Sequence, residues 1–200
     1  MAVLPIVRMG NPVLRTPAAP VPPEVLASPA AQQLIDDMVE TMLDADGVGL
    51  AAPQVGLAWQ LFVYQADDDD DPAGGIPLRV VVNPMVEPLP GEQVFDWEGC
   101  LSIPDLRGLV PRHPSVRLRG VDRHGHLEER VVEGFEARIV QHEYDHLNCV
   151  LFLDRMSDLK SLAFVEDYIR AAVLPLYANT HTESSGTGLQ TTRFREDALE

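Results

Sequence analysis

The chain has 200 residues, a length that suits one domain with a sizeable core, and its apolar fraction of 46% is ordinary for a globular protein. A formal net charge of −16 argues against nucleic acid as a direct ligand, because phosphate binding draws on clustered Lys and Arg, and the 15 present are scattered. No apolar run approaches the roughly 18 to 20 residues of a membrane helix, and the first residues lack the layout of a secretory signal, so we expect a cytoplasmic protein.

The first part of the chain predicts an extended segment, a helix and a loop. Six prolines among residues 1–23 exclude a long helix there. Apolar residues at helical spacing then predict a helix over Ser28–Asp44, with a Ser-Pro pair as its N-cap and first residue. A loop rich in glycine and alanine follows at Gly47–Gly56. The acidic stretch Ala66–Pro77 is expected to form a mobile surface loop.

The remainder predicts a sheet and two further helices. Strands are predicted at Gln60–Gln65, Leu78–Asn83, Gln93–Trp97, Leu106–Arg112, Val116–Asp122 and Leu127–Glu133. Helices are predicted over Phe135–Leu147 and Ser157–Leu174, and the polar residues 178–200 are expected to be a disordered tail. The sum is an α+β fold in a single domain over residues 1–177. Mostly antiparallel strands surround the helix Phe135–Leu147, with one helix near each end of the domain.

The helix Phe135–Leu147 carries a metal-site pattern. Residues 141–146 are Gln-His-Glu-Tyr-Asp-His, which contains His-Glu-x-x-His. Positions i and i+4 lie one turn apart on one helix face, so His142 and His146 can bind one ion. Such an ion acidifies water and polarises a carbonyl, and Glu143 can take up and return protons. The pattern predicts a metal hydrolase.

A catalytic metal site of this kind needs a third protein ligand, and the spacing leaves two candidates. The metzincin extension would require Gly at 149 and His at 152, where this chain has Cys149 and Phe152. A downstream acid, Glu166, lies twenty residues after His146. The other candidate is Cys100. Spacing alone does not choose between Glu166 and Cys100.

Three separated segments together resemble the peptide deformylases. They are Gly47-Val48-Gly49-Leu50-Ala51-Ala52-Pro53-Gln54, Glu98-Gly99-Cys100-Leu101-Ser102 and Gln141-His142-Glu143-Tyr144-Asp145-His146, which match the family's three motifs in order. The likeness extends from about residue 6 to residue 156. It implies removal of the formyl group from the N-terminal formylmethionine of newly synthesised polypeptides. Those nascent chains are then the partners, with transient ribosome association as a further expectation.

The resemblance also implies the roles of the site residues. Cys100, His142 and His146 hold the metal, which in this family is Fe²⁺, with Zn²⁺, Ni²⁺ or Co²⁺ as substitutes. Glu143 is the acid/base. The side-chain amide of Gln54 and the backbone N–H of Leu101 donate to the tetrahedral oxyanion.

Other residues are expected to hold the peptide. Gly49 allows close approach of an extended chain, which could pair with this loop as an added strand. Val48, Phe135 and Ile139 are the candidates for an apolar methionine pocket, although core residues would look the same. Arg107 matches an arginine near the substrate cleft in the family.

Two competing functions are considered: a metallopeptidase that cuts internal amide bonds, and a catalytically silent binding module that the metal stabilises. Metal content and formate release would separate them from a deformylase.

Three features outside the motifs add expectations. Asp145 is predicted to form a buried ion pair with Arg112 or Arg155. Cys149 stands where many relatives have glycine, at a helix end that favours a left-handed residue. The last predicted helix carries Lys160 and Arg170 beside three acids, so it lacks the basic character through which some family members dock on the ribosome.

Overall fold

The computed structural model describes residues 2–67 and 75–168. The chain divides into two compact units, Met1–Val165 and Glu166–Glu200, and only Glu166–Tyr168 of the second unit is described. The predicted domain limit at residue 177 and the tail 178–200 therefore lie outside the described residues. Most of the acidic insertion, residues 68–74, also lies outside them.

Among the residues that the structure describes, the α-helices are short apart from two. The two long helices are α2, Pro29–Asp44, and α3, Gly134–Leu147. The short ones are α1, Pro23–Leu26, α4, Phe152–Arg155, and α5, Val165–Tyr168. Both long helices begin and end within one residue of the prediction. In α2 the hydroxyl of Ser28 accepts the N–H of Ala31 at 3.2 Å, which is the predicted N-cap.

A five-stranded antiparallel sheet forms the centre of the first unit. Its strands are β1, Gly49–Ala51, β2, Leu61–Ala66, β3, Ile76–Pro88, β6, Ser115–Val121, and β7, Leu127–Glu133, in the order β1-β2-β3-β6-β7. The strand β3 is longer than predicted at both ends. Its first residue, Ile76, pairs with Ala66 of β2, so the strands around the acidic insertion form a hairpin.

A second, smaller sheet carries the cysteine motif. It consists of β4, Val94–Cys100, β5, Ile103–Arg112, and β8, Ala163–Phe164, in the order β4-β5-β8. The hairpin β4–β5 packs its buried residues Cys100, Ile103 and Val110 against Leu151 and Phe152 at the start of α4. The segment that follows α3 therefore helps to hold the cysteine-bearing strand.

The two long helices pack on opposite faces of the five-stranded sheet. Leu61 and Val63 of β2 lie in one core cluster with Ile35, Met38 and Met42 of α2. Phe62 and Tyr64, which alternate with them along the strand, lie in the other cluster with Ala137, Ile139 and Val140 of α3. The predicted α+β architecture, with a central helix between antiparallel strands, is confirmed.

The last predicted helix, Ser157–Leu174, is wrong in its first half. Leu159–Ser161 form a single 3₁₀ turn, in which the Asp158 side chain accepts the N–H of Lys160. Ala163 and Phe164 then pair with Arg107 and Leu106 of β5. Strand pairing with a distant segment outweighs a local helical pattern, because propensity is a weak preference. Residues 169–174 lie outside the described part.

No helix within the described residues is long and apolar enough to cross a membrane.

Candidate metal centre and active site

Cys100, His142 and His146 form one group of metal-ligating side chains. Their ligand atoms all lie within 4.8 Å of one another, and the Cys100 Sγ is 3.4 Å from the His146 Nε2. One thiolate and two imidazoles suit zinc or iron by ligand softness, so the donor set fits a divalent metal. In the described part of the chain this is the group with metal-ligand spacing, and Glu166 is not a member of it.

Two separate elements bring the three ligands together. His142 and His146 lie one turn apart on α3, with their ring centroids 5.1 Å apart. Cys100 ends β4, where the register against β5 shifts between Glu98 and Cys100. A shift of this kind bends a strand and changes the direction of its side chains. The irregularity thus accompanies the placement of Cys100 beside α3.

Glu98 orients the first histidine. The Nδ1 of His142 donates to the Oε2 of Glu98 at 2.9 Å, which leaves Nε2 available for a metal. Glu98 is itself held by Arg112, whose Nε and Nη2 donate to its two oxygens at 2.8 and 2.9 Å. Arg138 donates to the Oε1 of Glu98 at 2.8 Å.

Asp145 joins this network from α3. The Nη1 of Arg112 donates to the Oδ2 of Asp145 at 2.5 Å, and Arg155 grips both oxygens of Asp145 at 3.0 and 2.6 Å. The predicted ion pair is therefore present with both candidate arginines. Because Arg112 binds Glu98 as well, a buried chain of charges connects the strand β4 with the helix α3.

Burial and charge set the protonation of the two histidines. Burial lowers the pKa of His146 well below its ordinary value, and the nearby charges of His142 and Arg112 act in the same direction. Burial also opposes the charged form of His142. For His142, hydrogen bonds to Cys100 and Glu98 outweigh the effect of burial, so its pKa is raised well above the ordinary value. Metal binding requires the loss of that proton.

Glu143 lies buried against the backbone of the first motif. A Cβ on Gly49 would stand 2.8 Å from the Cδ and 2.9 Å from the Cγ of Glu143, so only glycine leaves room for this carboxylate. Burial, together with the charge on Glu98, raises the pKa of Glu143, the charges of His142 and Arg112 lower it in part, and the net pKa is about 7. Its Oε2 is buried and has no hydrogen-bond partner in the described part of the protein.

Gln54 points a donor at the ligand group. Its Oε1 accepts the N–H of Ala51 at 2.7 Å, and its Nε2 lies 3.6 Å from the Cys100 Sγ. The amide is thereby held with its N–H groups towards the metal ligands. Leu101, directly after Cys100, lies against the loop of the first motif, because a Cβ on Gly47 would stand 2.8 Å from its Cδ1.

The candidate peptide-binding residues differ in exposure. Val48 and Phe135 are 40% and 38% exposed, as a surface pocket requires, whereas Ile139 is 3% exposed and belongs to the core cluster between α3 and the large sheet. Arg107 lies across Gly99, where a Cβ would overlap its guanidinium, and its Nη1 donates to its neighbour's carbonyl, that of Leu106, at 3.0 Å.

The contacts of Glu98 and Arg138 are not apparent from the sequence pattern. Glu98 appeared only as part of a quoted motif, and Arg138 was not singled out. A signal for Arg138 was available, because it is a cation among residues of a helix that is otherwise buried over Ala137–Glu143. A buried charge needs partners, so an arginine in that position indicates acidic or carbonyl groups facing it.

Fold and site together define a metal hydrolase in which an antiparallel α+β framework joins a cysteine-bearing hairpin to a His-Glu-x-x-His helix. The family model for polypeptide deformylase matches residues 3–162. The chain is 48% identical over 163 residues to peptide deformylase 2 of Bordetella bronchiseptica. The aligned segment covers 80% of this chain and 92% of that protein. This chain belongs to the polypeptide deformylase family.

Other similar proteins are also peptide deformylases. Peptide deformylase 2 of Ralstonia nicotianae is 44% identical over 81% of this chain and 92% of its own length. A class I type b peptide deformylase from Acinetobacter baumannii, solved with Met-Ala-Ser bound, is 40% identical with a TM-score of 0.72. It covers 78% of this chain and 99% of its own. The family is metal-dependent, and the Cys100, His142 and His146 group is present here.

Proposed function

We propose that this protein removes the formyl group from the N-terminal formylmethionine of newly synthesised polypeptides and releases formate. The observation that carries the proposal is the buried group of Cys100, His142 and His146 with Glu143 beside it, in a chain of the polypeptide deformylase family. The comparisons support neither the metallopeptidase nor the silent binding module.

The metal is proposed to be Fe²⁺, with Zn²⁺, Ni²⁺ or Co²⁺ able to take its place. Cys100, His142 and His146 would hold it. When bound, it would supply Lewis acidity, which polarises the formyl carbonyl and acidifies water in the cleft. The buried Glu98 would keep His142 in the tautomer that presents Nε2 to the metal.

Glu143 is proposed to move the proton. The oxygen of the attacking water bonds to the formyl carbon, and the water gives a proton to the Glu143 carboxylate. Glu143 then delivers that proton to the amide nitrogen, the carbon–nitrogen bond breaks, and formate and a free amino terminus leave. Support comes from the position of Glu143 next to a ligand histidine and from its Oε2, which lacks a partner within the described residues.

Gln54 and Leu101 are proposed to stabilise the oxyanion that forms on the formyl oxygen. Donors aimed at the place where charge develops are among the largest contributions to catalysis. The Gln54 amide suits this role because Ala51 fixes its oxygen and leaves its nitrogen facing the ligands. The Leu101 N–H belongs to the residue after Cys100, so it lies close in the chain to a ligand.

The peptide is proposed to lie along Val48 and Gly49, with the methionine side chain against Val48, Phe135 and Ile139. Val48 and Phe135 are accessible for such a contact, and Ile139 lies one helical turn before Glu143 on α3. Arg107 is proposed to meet the peptide near the cleft entrance. The Acinetobacter baumannii relative with bound Met-Ala-Ser supports a short methionyl peptide as the ligand.

The setting is proposed to be the cytoplasm, with nascent formylmethionyl chains as substrates and transient association with the ribosome. Formylated amino termini arise during synthesis, so the enzyme must meet the chain early. The proposal rests on the chemistry of the substrate.

The test is formate release from formyl-Met-Ala-Ser, measured beside the unformylated peptide on protein purified anaerobically and analysed for metal. We expect formate from the first peptide and no cleavage of the second. Glu143→Gln should lower kcat by about 10²- to 10⁴-fold with metal content unchanged, since it removes the acid/base group. Glu136→Gln, on the same helix but paired with Arg130, is the matched control and should keep wild-type turnover.

The alternatives predict other results. Cleavage of internal amide bonds in the unformylated peptide would indicate a metallopeptidase. Full metal loading with no turnover of either peptide would indicate a silent module. Unchanged turnover in Glu143→Gln would overturn the proton-transfer role.

A further inference from the structure

Arg138 is a buried cation that the proposed chemistry does not use. It lies on α3 one turn before His142 and is 8% exposed. Its Nη1 donates to the Oε1 of Glu98 at 2.8 Å and to the carbonyl of Val110 at 3.0 Å, and its Nη2 donates to the carbonyl of Val94 at 2.8 Å. All of these acceptors lie on the hairpin β4–β5. A guanidinium is costly to bury, so three hydrogen bonds from Arg138 to one hairpin indicate a specific role.

Those contacts hold the hairpin at several points. Val94 is the first residue of β4, Glu98 lies near its end, and Val110 lies on β5. Cys100 follows Glu98 by two residues. The position of Cys100 relative to α3 therefore depends on how this hairpin docks. The side chain of Arg138 contacts β4 both at its first residue, Val94, and near its end, at Glu98.

Glu98 links the same arginine to a ligand histidine. Within the described residues, each oxygen of Glu98 accepts two hydrogen bonds: Oε1 from Arg112 and Arg138, and Oε2 from Arg112 and His142. Without Arg138, Oε1 would keep a single donor, and the carbonyls of Val94 and Val110 would each lose one donor. The carboxylate that orients His142 would then be held by Arg112 and His142 alone, without a bond to the start of α3.

We propose that Arg138 is a positioning residue for the metal centre, which fixes the separation between the Cys100 thiolate and the two imidazoles by clamping β4 onto α3. The inference rests on the proposed metal role of Cys100, His142 and His146. It adds that the geometry of the triad is set by a cation of the helix as well as by Arg112. Arg112 reaches from the hairpin to the helix, through Asp145, and Arg138 reaches from the helix to the hairpin.

The expected effect is on metal affinity and ligand geometry. Loss of a group that orients metal ligands commonly weakens metal binding by about 10- to 100-fold. Arg138→Met keeps the length and apolar stem of the side chain and removes all three contacts. Arg138→Lys keeps the charge, but one ammonium cannot span Glu98 and Val94 as a planar fork does, so it should give an intermediate affinity.

The experiment is a Co²⁺ titration of the metal-free protein, followed by the thiolate-to-cobalt and ligand-field absorption bands, well below the unfolding temperature. Arg138→Met should raise the Co²⁺ Kd by about 10- to 100-fold and shift the bands. The matched control is Arg130→Met, which removes an ion pair to Glu136 of the same helix without touching Glu98. Its Kd and spectrum should equal those of the wild type.

A wild-type Kd and spectrum in Arg138→Met would overturn the inference. If Arg138→Met does not fold, Arg138→Lys decides, because wild-type Co²⁺ binding in that variant also overturns it. Failure of the proposed function gives a different pattern: the wild type would bind Co²⁺ through its thiolate yet release no formate. Failure of the ligand assignment would show as an unchanged Kd in Cys100→Ser.

Discussion

The lack of a side chain at Gly49 determines where the carboxyl group of Glu143 can lie. Its backbone passes so close to Glu143 that the carboxylate occupies the space of a missing side chain. From the sequence, this glycine is predicted to allow the close approach of a peptide. The structure adds a second reason, which is the packing of the Glu143 carboxyl group. Glu143 is only 4% exposed, so it has little freedom to move aside.

Gly49→Ala should therefore impair turnover more than metal binding. The new methyl group would displace the Glu143 carboxyl, and a misplacement of about 1 Å can cost roughly 100-fold in rate. We expect a fall of about 10- to 100-fold in kcat with metal content unchanged. Steady-state kinetics with metal analysis of the same sample provide the measurement.

Gly125→Ala serves as the control for that substitution. Gly125 lies in the turn between β6 and β7 with φ +84° and open space around a Cβ, so alanine there strains the turn without approaching Glu143. It should lower stability and leave kcat intact. An equal loss of kcat in both variants would mean that the effect of Gly49→Ala is general destabilisation.

At the scale of elements, the end of α3 shows how a cysteine is accommodated at position 149, where many relatives have glycine. The N–H of Val150 donates to the carbonyl of Asp145 at 2.9 Å. The N–H of Cys149 donates to the carbonyl of His146 at 3.4 Å. This is the Schellman arrangement, which needs a left-handed residue at the position of Cys149. Cys149 adopts φ +64°, so the turn retains the form typical of glycine in spite of the cysteine.

Cys149→Gly should stabilise the protein. A residue with a Cβ pays about 1–2 kcal/mol in the left-handed region, and the greater freedom of glycine in the unfolded chain offsets part of that. We expect a gain of about 1 kcal/mol in the free energy of unfolding, measured by urea denaturation at equal metal loading. The Arg15 bond to the carbonyl of residue 149 is a backbone contact and survives.

Cys149→Ala is the appropriate comparison, because alanine removes the thiol but keeps the Cβ. The free energy of unfolding of Cys149→Ala should stay near that of the wild type. Equal stability of the glycine and alanine variants would show that the left-handed conformation costs nothing here.

At the scale of the whole molecule, the metal site joins parts of the chain that are otherwise far apart. Cys100 and His146 are separated by 46 residues and belong to the small sheet and the central helix. A ligand that binds only the folded state adds about 4 kcal/mol when its concentration is about 1,000 times its Kd. Metal binding should therefore contribute to holding the hairpin β4–β5 on α3.

Chelation should lower Tm accordingly. For a protein of this size, about 4 kcal/mol corresponds to roughly 8–16 °C. Calorimetry with and without metal measures the shift. In Cys100→Ser the shift should shrink, since an alcohol replaces the thiolate. A Tm that does not respond to metal in the wild type would contradict a metal held across the two elements.

The sequence by itself determined the features that depend on nearby residues. The two histidines and Glu143 follow from a helical repeat of 3.6 residues, and the α2 cap follows from Ser28 and Pro29, so both were predictable from local spacing. Spacing does not distinguish Cys100 from Glu166 as the third metal ligand, and only the resemblance of three motifs to the family favours Cys100.

Only the tertiary structure decided the rest, because it depends on contacts between distant segments. Glu98 meets His142 and Arg138 across 44 and 40 residues, and no periodicity encodes such meetings. The same applies to Ala163 and Phe164, where pairing with β5 replaced a predicted helix. Local spacing places His142, Glu143 and His146 together on one helix, whereas long-range packing brings Cys100 and the charged side chains of Glu98 and Arg138 against them.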